Sequence, residues 1–446
     1  MSVQTPLTWK PKEGLLALWA AWEKEHGETL RPAVRRLKKS AIARFDELGF
    51  PGPRNEEWRF TQLGPVLKTP LALPAAETAL TQGDVARLVP ATPEAAVYVF
   101  VNGRLQPRLS QSGPLPAGVV VADLATALVA HADLVEHHLG RQAKFDQHPF
   151  VALNTALFVG GAFVVVPAGV TVEMPLHLIF ISDAAGEPVL AAPRSVIWIG
   201  NQARLDLVQT HVGLPGQVYL HAGVTEISVG AGAAVRHAKL QRESRDAFHL
   251  DSLFVQLQAG SQFTSQAIND GGSVVRNDIT ATFDAERAEC TLNGLTLASG
   301  AQHVVNHTTI DHAQPHCNSH EMYKNVIAGQ ARVVFNGKIF VRKHAQKTDA
   351  KQSNQTLLLS EDGTIHTKPQ LEIFADDVKC THGATVGQLD DAALFYCQAR
   401  GLGRQQAEQL LTYAFANEII QQVPLDSLRA ALEAGLLGEA LPAASG

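Results

Sequence analysis

Cys380 and His382 stand two residues apart in "VKCTHGATVGQLDDAALFYCQARGL", the stretch from Val378 to Leu402 that holds half of the chain's four cysteines. In an extended strand, residues i and i+2 face the same side with Cα atoms about 7 Å or less apart. Thiol and imidazole can then share a metal ion, or the imidazole can tune a thiolate. The plainer alternative is a buried structural cysteine beside a surface histidine, and the residue types alone leave both open. Cys397 follows Phe395 and Tyr396 in an apolar helical segment and is expected in the core.

A second candidate is "QHVVNHTTIDHAQPHCNSHEMYKN", with His303, His307, His312, His316, Cys317 and His320. Imidazoles and a thiolate are good ligands for zinc or iron. Residues of odd separation on a strand face opposite ways, however, and the paired short spacing of zinc knuckles is missing. Histidines stacked along the outer face or turns of a repeat are the favoured reading. The sequence contains no G-x-x-x-x-G-K-[ST], no G-x-G-x-x-G between a strand and a helix, and no G-x-S-x-G elbow. Nucleotide, dinucleotide and serine-hydrolase chemistry are therefore unsupported.

The elements that must position these groups change along the chain. "EGLLALWAAWEKEHG" sets Leu15, Leu16, Leu18, Trp19 and Trp22 on one apolar stripe, and a second stripe runs through Val34, Leu37, Ile42, Phe45 and Leu48. The basic run "RRLKKS", Arg35 to Ser40, reads as the wet face of that second helix. "PRNEEWRFTQL", Pro53 to Leu63, reads as a docking segment with Trp58 and Phe60 buried. From Val97 short strands take over, beginning with the Asn-Gly hairpin of "VYVFVNGRL".

Beyond Phe158 a loose repeat of turn glycines and alternating apolar residues appears, with Gly169, Gly200, Gly230 and Gly260 about thirty residues apart, then Gly300 and Gly329. A β-solenoid produces this spacing, because each coil buries inward side chains against the next. A β-sandwich would instead turn every ~8–12 residues without a longer period. After Asp390 helix returns, first in "DDAALFYCQARGL" and then in two further segments separated by Pro424, and "PAASG" is expected to fray. The expected fold is mainly β: residues 1–95 a helical domain, 96–388 the solenoid, and 389–446 a second helical domain. In that last domain Leu410, Leu411, Phe415, Ile419 and Ile420 exceed a single apolar stripe, which implies a partner face beside a core face.

The bulk numbers narrow the function. A net charge of −6 over 446 residues argues against a nucleic-acid surface. The longest apolar run, Ala156 to Val170, is broken by Gly160, Gly161 and Pro167 and is too short to span a bilayer. Four cysteines without repeated spacing make no disulfide framework, and no apolar secretory segment is visible at the start, so a cytoplasmic protein is expected.

"LLLSEDGTIHTKPQLEIFADDVKCTHGATVGQLD", Leu357 to Asp390, resembles the SufD side of the SufB/SufD family, scaffold subunits of the SUF iron–sulfur cluster assembly machinery. "PRNEEWRFTQL" and "FYCQARGL…AEQLLTYAFANEII" are similar to the same family, so the likeness runs from about residue 50 to 421. The resemblance implies a central right-handed parallel β-helix between helical domains, pairing with SufB through the β-helix, and docking of the SufC ATPase on the C-terminal helices. It also explains the missing P-loop, since SufC is the ATPase. It places nascent cluster chemistry at the SufB interface, with His382 and Cys380 matching the family's histidine and cysteine there.

Thr356 stands in the stretch "SNQTLLLS", where SufB carries its sulfur-accepting cysteine, so this chain is not expected to accept sulfur in that way. "FYC" with Cys397 is the one departure toward SufB. The resemblance thus implies a non-enzymatic scaffold with no cofactor held by the lone chain and only transient iron or a nascent cluster in the complex. Flavin binding by the complex and self-pairing of the lone chain stay open. Two other readings are a stand-alone zinc-binding β-solenoid and a β-helix enzyme acting on polysaccharide.

Overall fold

The computed structural model describes residues 9–438; the expected fraying of "PAASG" lies outside them. From residue 171 the chain winds as a solenoid. Strands of one sheet begin at Thr171, Arg204, Ala234, Gln262, Glu289, Asn318, Asp349 and Lys379, each about thirty residues after the last. Between them, strands of the opposite sheet pair in parallel in the same order, ending with Thr364–Ile373. Each sheet has ten strands. The period read from the turn glycines is therefore the coil. Gly230 is at its corner because a Cβ there would come within 2.7 Å of the backbone of Gly200 and Asn201 in the preceding coil. Gly329 (φ 63°) combines the left-handed conformation with the same close approach to Gly300.

Inward residues of both sheets, among them Ile199, Leu205, Val235, Phe263, Phe283, Cys290, Ile310 and Phe335, fill the space between them. The outward faces are covered differently along the axis. N-terminal helices Pro11–His26 and Pro32–Leu48, with helix Pro149–Leu157, lay Leu15, Ile42, Phe45 and Leu153 on the strand residues Leu220, Phe248, Leu250 and Val274. Helices Arg404–Ile420 and Asp426–Leu437 lay Ala416, Ile419, Ile420, Leu428 and Leu432 on Val208, Leu240, Ile268 and Leu295 of the other sheet. Helical structure also interrupts the β region at Leu124–Ala130, Ala132–His138 and Pro149–Leu157. No described helix is long and apolar enough to cross a membrane.

Three local readings are corrected. Lys38, placed on a wet face, is buried, and its Nζ donates to the carbonyls of Ala156 (3.1 Å) and Phe158 (2.6 Å) while lying 3.5 Å from the Phe158 ring centroid. Those carbonyls end helix Pro149–Leu157, where a cation is favoured. Phe60 is not buried but 40% exposed, stacked on His366. Cys397 is half-buried rather than core, because helix Asp391–Ala399 packs on the next helix and leaves Phe395 and Tyr396 in solvent.

Candidate functional site

The last coil differs from those before it. Strand Lys379–Gly387 pairs with Asp349–Leu358 on one side and ends its sheet on the other; Thr364–Ile373 ends the opposite sheet. Both edges therefore carry unpaired backbone N–H and C=O groups, a template for another strand. Pro369 removes one donor from Thr364–Ile373, and proline is tolerated on edges for that reason. Lys379–Gly387 has no proline and is almost wholly exposed. It is the more open template.

Cys380 and His382 lie on this strand, on the same side as the i, i+2 argument requires. Their environments differ. The Cys380 side chain packs toward Ile339, Val341, Ala345, Ala350 and Ala375, and burial, with the nearby Asp349, pushes its thiol above the usual range. Burial thus works against a tuned thiolate at Cys380 in the lone chain. His382 is exposed and pairs in register with Gln352. Gln352 Nε2 donates to Glu321 at 2.6 Å, and Glu321 pairs in register with Leu292 deeper inside. Burial pushes Glu321 up to about 7. His382 is therefore the outermost member of a row, Glu321–Gln352–His382, that runs along the inward face to the open end.

Glu321 and Gln352 were missed in the sequence because neither sits in a motif. Their signal is register: Glu321, Gln352 and His382 each fall about one coil apart. Thr356, the position of interest against SufB, is buried one strand inward, its Oγ1 accepting from Asn325 Nδ2 at 3.1 Å.

The histidine-rich stretch does not converge. His303 and His307 face outward from one sheet, His312 faces inward against Phe283, and Cys317 is in the interior cluster. His316 occupies a turn with φ 60°, and His320 is exposed on the other sheet. The expectation of outer-face and turn positions for the histidines thus fails for His312, which an inward strand position takes into the core. Among the described residues, the side chains whose ligand atoms do converge are His211, His221 and His249, in early coils.

His307 instead joins the docking segment to the solenoid. It lies 2.8 Å from Glu57 and 3.0 Å from Asp278, and Arg276 donates to the Glu57 carbonyl, Thr61 and Asp278 while stacking on Trp58. Burial opposes charge on His307, but the two carboxylates more than offset it and raise its pKa. A cleft of about 890 Å³ opens beside these groups, lined also by Phe60, His366 and Lys368.

The C-terminal apolar residues divide between two faces. Ile419 and Ile420, expected to serve a partner, are fully buried on the solenoid, so they belong to the core face. Leu411 and Phe415 are half-buried, and Leu410 is exposed. With Phe395 at 72% and Tyr396 at 57% exposed, it forms the free apolar surface of this end.

Comparison with known proteins accounts for both halves of this architecture. Residues 180–415 match the model of the SUF system FeS cluster assembly SufBD core domain, and residues 10–178 match the SufBD protein N-terminal region. An iron–sulfur cluster assembly SufBD family protein of Synechocystis is 31% identical over 89% of this chain and 88% of its own length. The iron–sulfur cluster assembly protein SufD of Escherichia coli is 30% identical over 88% of this chain and 90% of its own. SufB of Bacillus subtilis is 24% identical over 69% and 66%. The two-sheeted solenoid flanked by helices, matched over residues 10–178 and 180–415 by these models, shows that the chain belongs to the SufBD family of iron–sulfur cluster assembly proteins.

Proposed function

We propose that this chain is a non-catalytic scaffold subunit that pairs with a SufB-type subunit through the open end of its solenoid and presents His382 to the iron or nascent cluster formed there. The observation that carries this reading is the strand Lys379–Gly387, paired on one side and open on the other, which sets an exposed imidazole at the end of an inward polar row. A neutral imidazole is a borderline ligand that holds iron without the permanence of a thiolate. Gly383 leaves open space beside it, with nothing within 4 Å of where a Cβ would stand. Cys380 is a secondary ligand, drawn out of its apolar packing only if the partner reorders the edge. The same edge can pair two copies of this chain when the partner is absent.

The ATPase of the system docks, in this reading, on Phe395, Tyr396 and Leu410, with Leu411 and Phe415 at the margin. The site reading is tested by His382→Ala in a complex co-expressed with SufB and SufC and purified anaerobically. Assembly should persist and cluster content should fall about tenfold or more. Wild-type cluster content would refute the assignment, and an equal loss from Thr381→Ala would reduce it to damage of the strand.

A further inference from the structure

His221 and His249 occupy registered positions in neighbouring coils of one sheet, and His211 reaches them from the other sheet. All three are buried, and one ring nitrogen from each lies within 4.8 Å of the others. The rings pack closely: His221 stacks on His249 at 4.8 Å between centroids, and His211 meets both edge-on. Glu243, at the corner between the sheets, puts Oε1 3.6 Å from His221 Nδ1 and Oε2 2.7 Å from His249 Nδ1. The neighbouring carboxylate is already engaged, since Asp251 accepts from Lys239 Nζ at 2.6 Å.

These groups are poorly satisfied by the protein itself. His211 Nδ1, His221 Nε2, His249 Nε2 and Glu243 Oε1 are buried without a hydrogen-bond partner; His249 Nδ1 is met by Glu243, and His221 Nε2 stands 3.8 Å from Asp251 Oδ1. Buried polar atoms are otherwise nearly always paired, and each one left alone costs about 1–3 kcal/mol. Their concentration in one place calls for a shared partner. Gly223 keeps the space open, because a Cβ there would come within 2.7 Å of His221 Nε2 and collide with Asp251.

We propose that His211, His221 and His249 bind one divalent transition-metal ion of borderline softness, Zn²⁺ or Fe²⁺, which clips the two sheets together in the early coils, with Glu243 orienting His249 through Nδ1. Three imidazoles with a fourth position open to water suit such an ion, with metal–nitrogen bonds of about 2.0–2.1 Å. Tetrahedral ligands at that length stand about 3.4 Å apart. Loading therefore draws the imidazoles together by about 1 Å through ring rotation. The site is separate from His382, being enclosed and several coils away along both sheets.

The test uses the full chain, stripped with a chelator and titrated with Co²⁺. One equivalent should bind with the visible ligand-field bands of four-coordinate nitrogen and oxygen ligation, and elemental analysis of the unstripped protein should identify the native ion. His221→Ala and His249→Ala should each weaken binding by more than the ~10–100-fold typical of losing a supporting hydrogen bond. His382→Ala should bind Co²⁺ as the wild type does, which keeps this result independent of the cluster site. A folded wild-type chain that binds no Co²⁺ or Zn²⁺ would overturn the proposal. So would stoichiometric binding that survives in a folded His221→Ala/His249→Ala variant.

Discussion

The early coils and the last coil are built on one repeat, yet they meet solvent in opposite ways. Around Phe248 and Leu240 both outer faces lie under helices, and even histidine and glutamate side chains are enclosed. At the last coil the cover thins: Thr364–Ile373 is mostly half-buried and met from outside by Phe60 on His366 and Glu56 on Lys368, Lys379–Gly387 is almost wholly exposed, and Ile373, Phe374 and Val386 are exposed. The difference teaches that stability and function are divided along the axis. The covered coils supply the apolar burial that holds the fold, while the terminal coil keeps its backbone groups and apolar side chains available for another chain.

Truncating one phenylalanine at each end gives the largest contrast. Phe263→Ala, in the space between the sheets, should destabilise by about 3–5 kcal/mol, whereas Phe374→Ala on the exposed end should cost less than about 1 kcal/mol. Denaturant midpoints read both, and equal losses would erase the division. A second contrast separates the two faces of the C-terminal helices. Phe395→Asp with Leu410→Asp should leave the melting temperature within about 2 °C of wild type and weaken ATPase capture by about 2 kcal/mol or more. Ile420→Asp should instead unfold the helix from the sheet, since Ile420 is fully buried there. Undiminished ATPase capture by the first variant would place docking elsewhere.

A smaller effect comes from the row that leads to the open end. Glu321 has a pKa raised to about 7 in the folded chain, so the folded state binds its proton more tightly than the unfolded state does. Its contribution is fully present below the unfolded value of about 4.3 and is lost as pH rises through 7. Glu321→Gln should therefore remove about 2–3 kcal/mol of the stability lost between pH 5 and pH 8. Parallel stability–pH curves for the two proteins would show that Glu321 ionises freely.

Much of this arrangement was legible in the sequence. Turn glycines gave the coil length because backbone contact between coils at Gly230 and Gly329 admits no side chain. Asp390 marked a helix start, and its side chain does accept from Ala392 N. The Cys-x-His spacing placed Cys380 and His382 on one side of a strand. Periodicity could not separate the face that Ile420 turns to the solenoid from the face that Leu410 turns to solvent, because both are apolar. Nor could composition show that Lys38 caps a buried helix end. The row Glu321–Gln352–His382 and the His221–His249 pair depend on register between coils, which becomes visible only when the sequence is folded at its own period.

The central claim is that Lys379–Gly387 is an unpaired edge that a SufB-type subunit completes. Hydrogen–deuterium exchange of its amides, in the lone chain and in the assembled complex, tests it most directly. In the lone chain these amides should exchange far faster than those of Gln262–Asn269, which is paired on both sides. On assembly, protection should rise specifically across Lys379–Gly387. Unchanged exchange there in a fully formed complex would contradict the account.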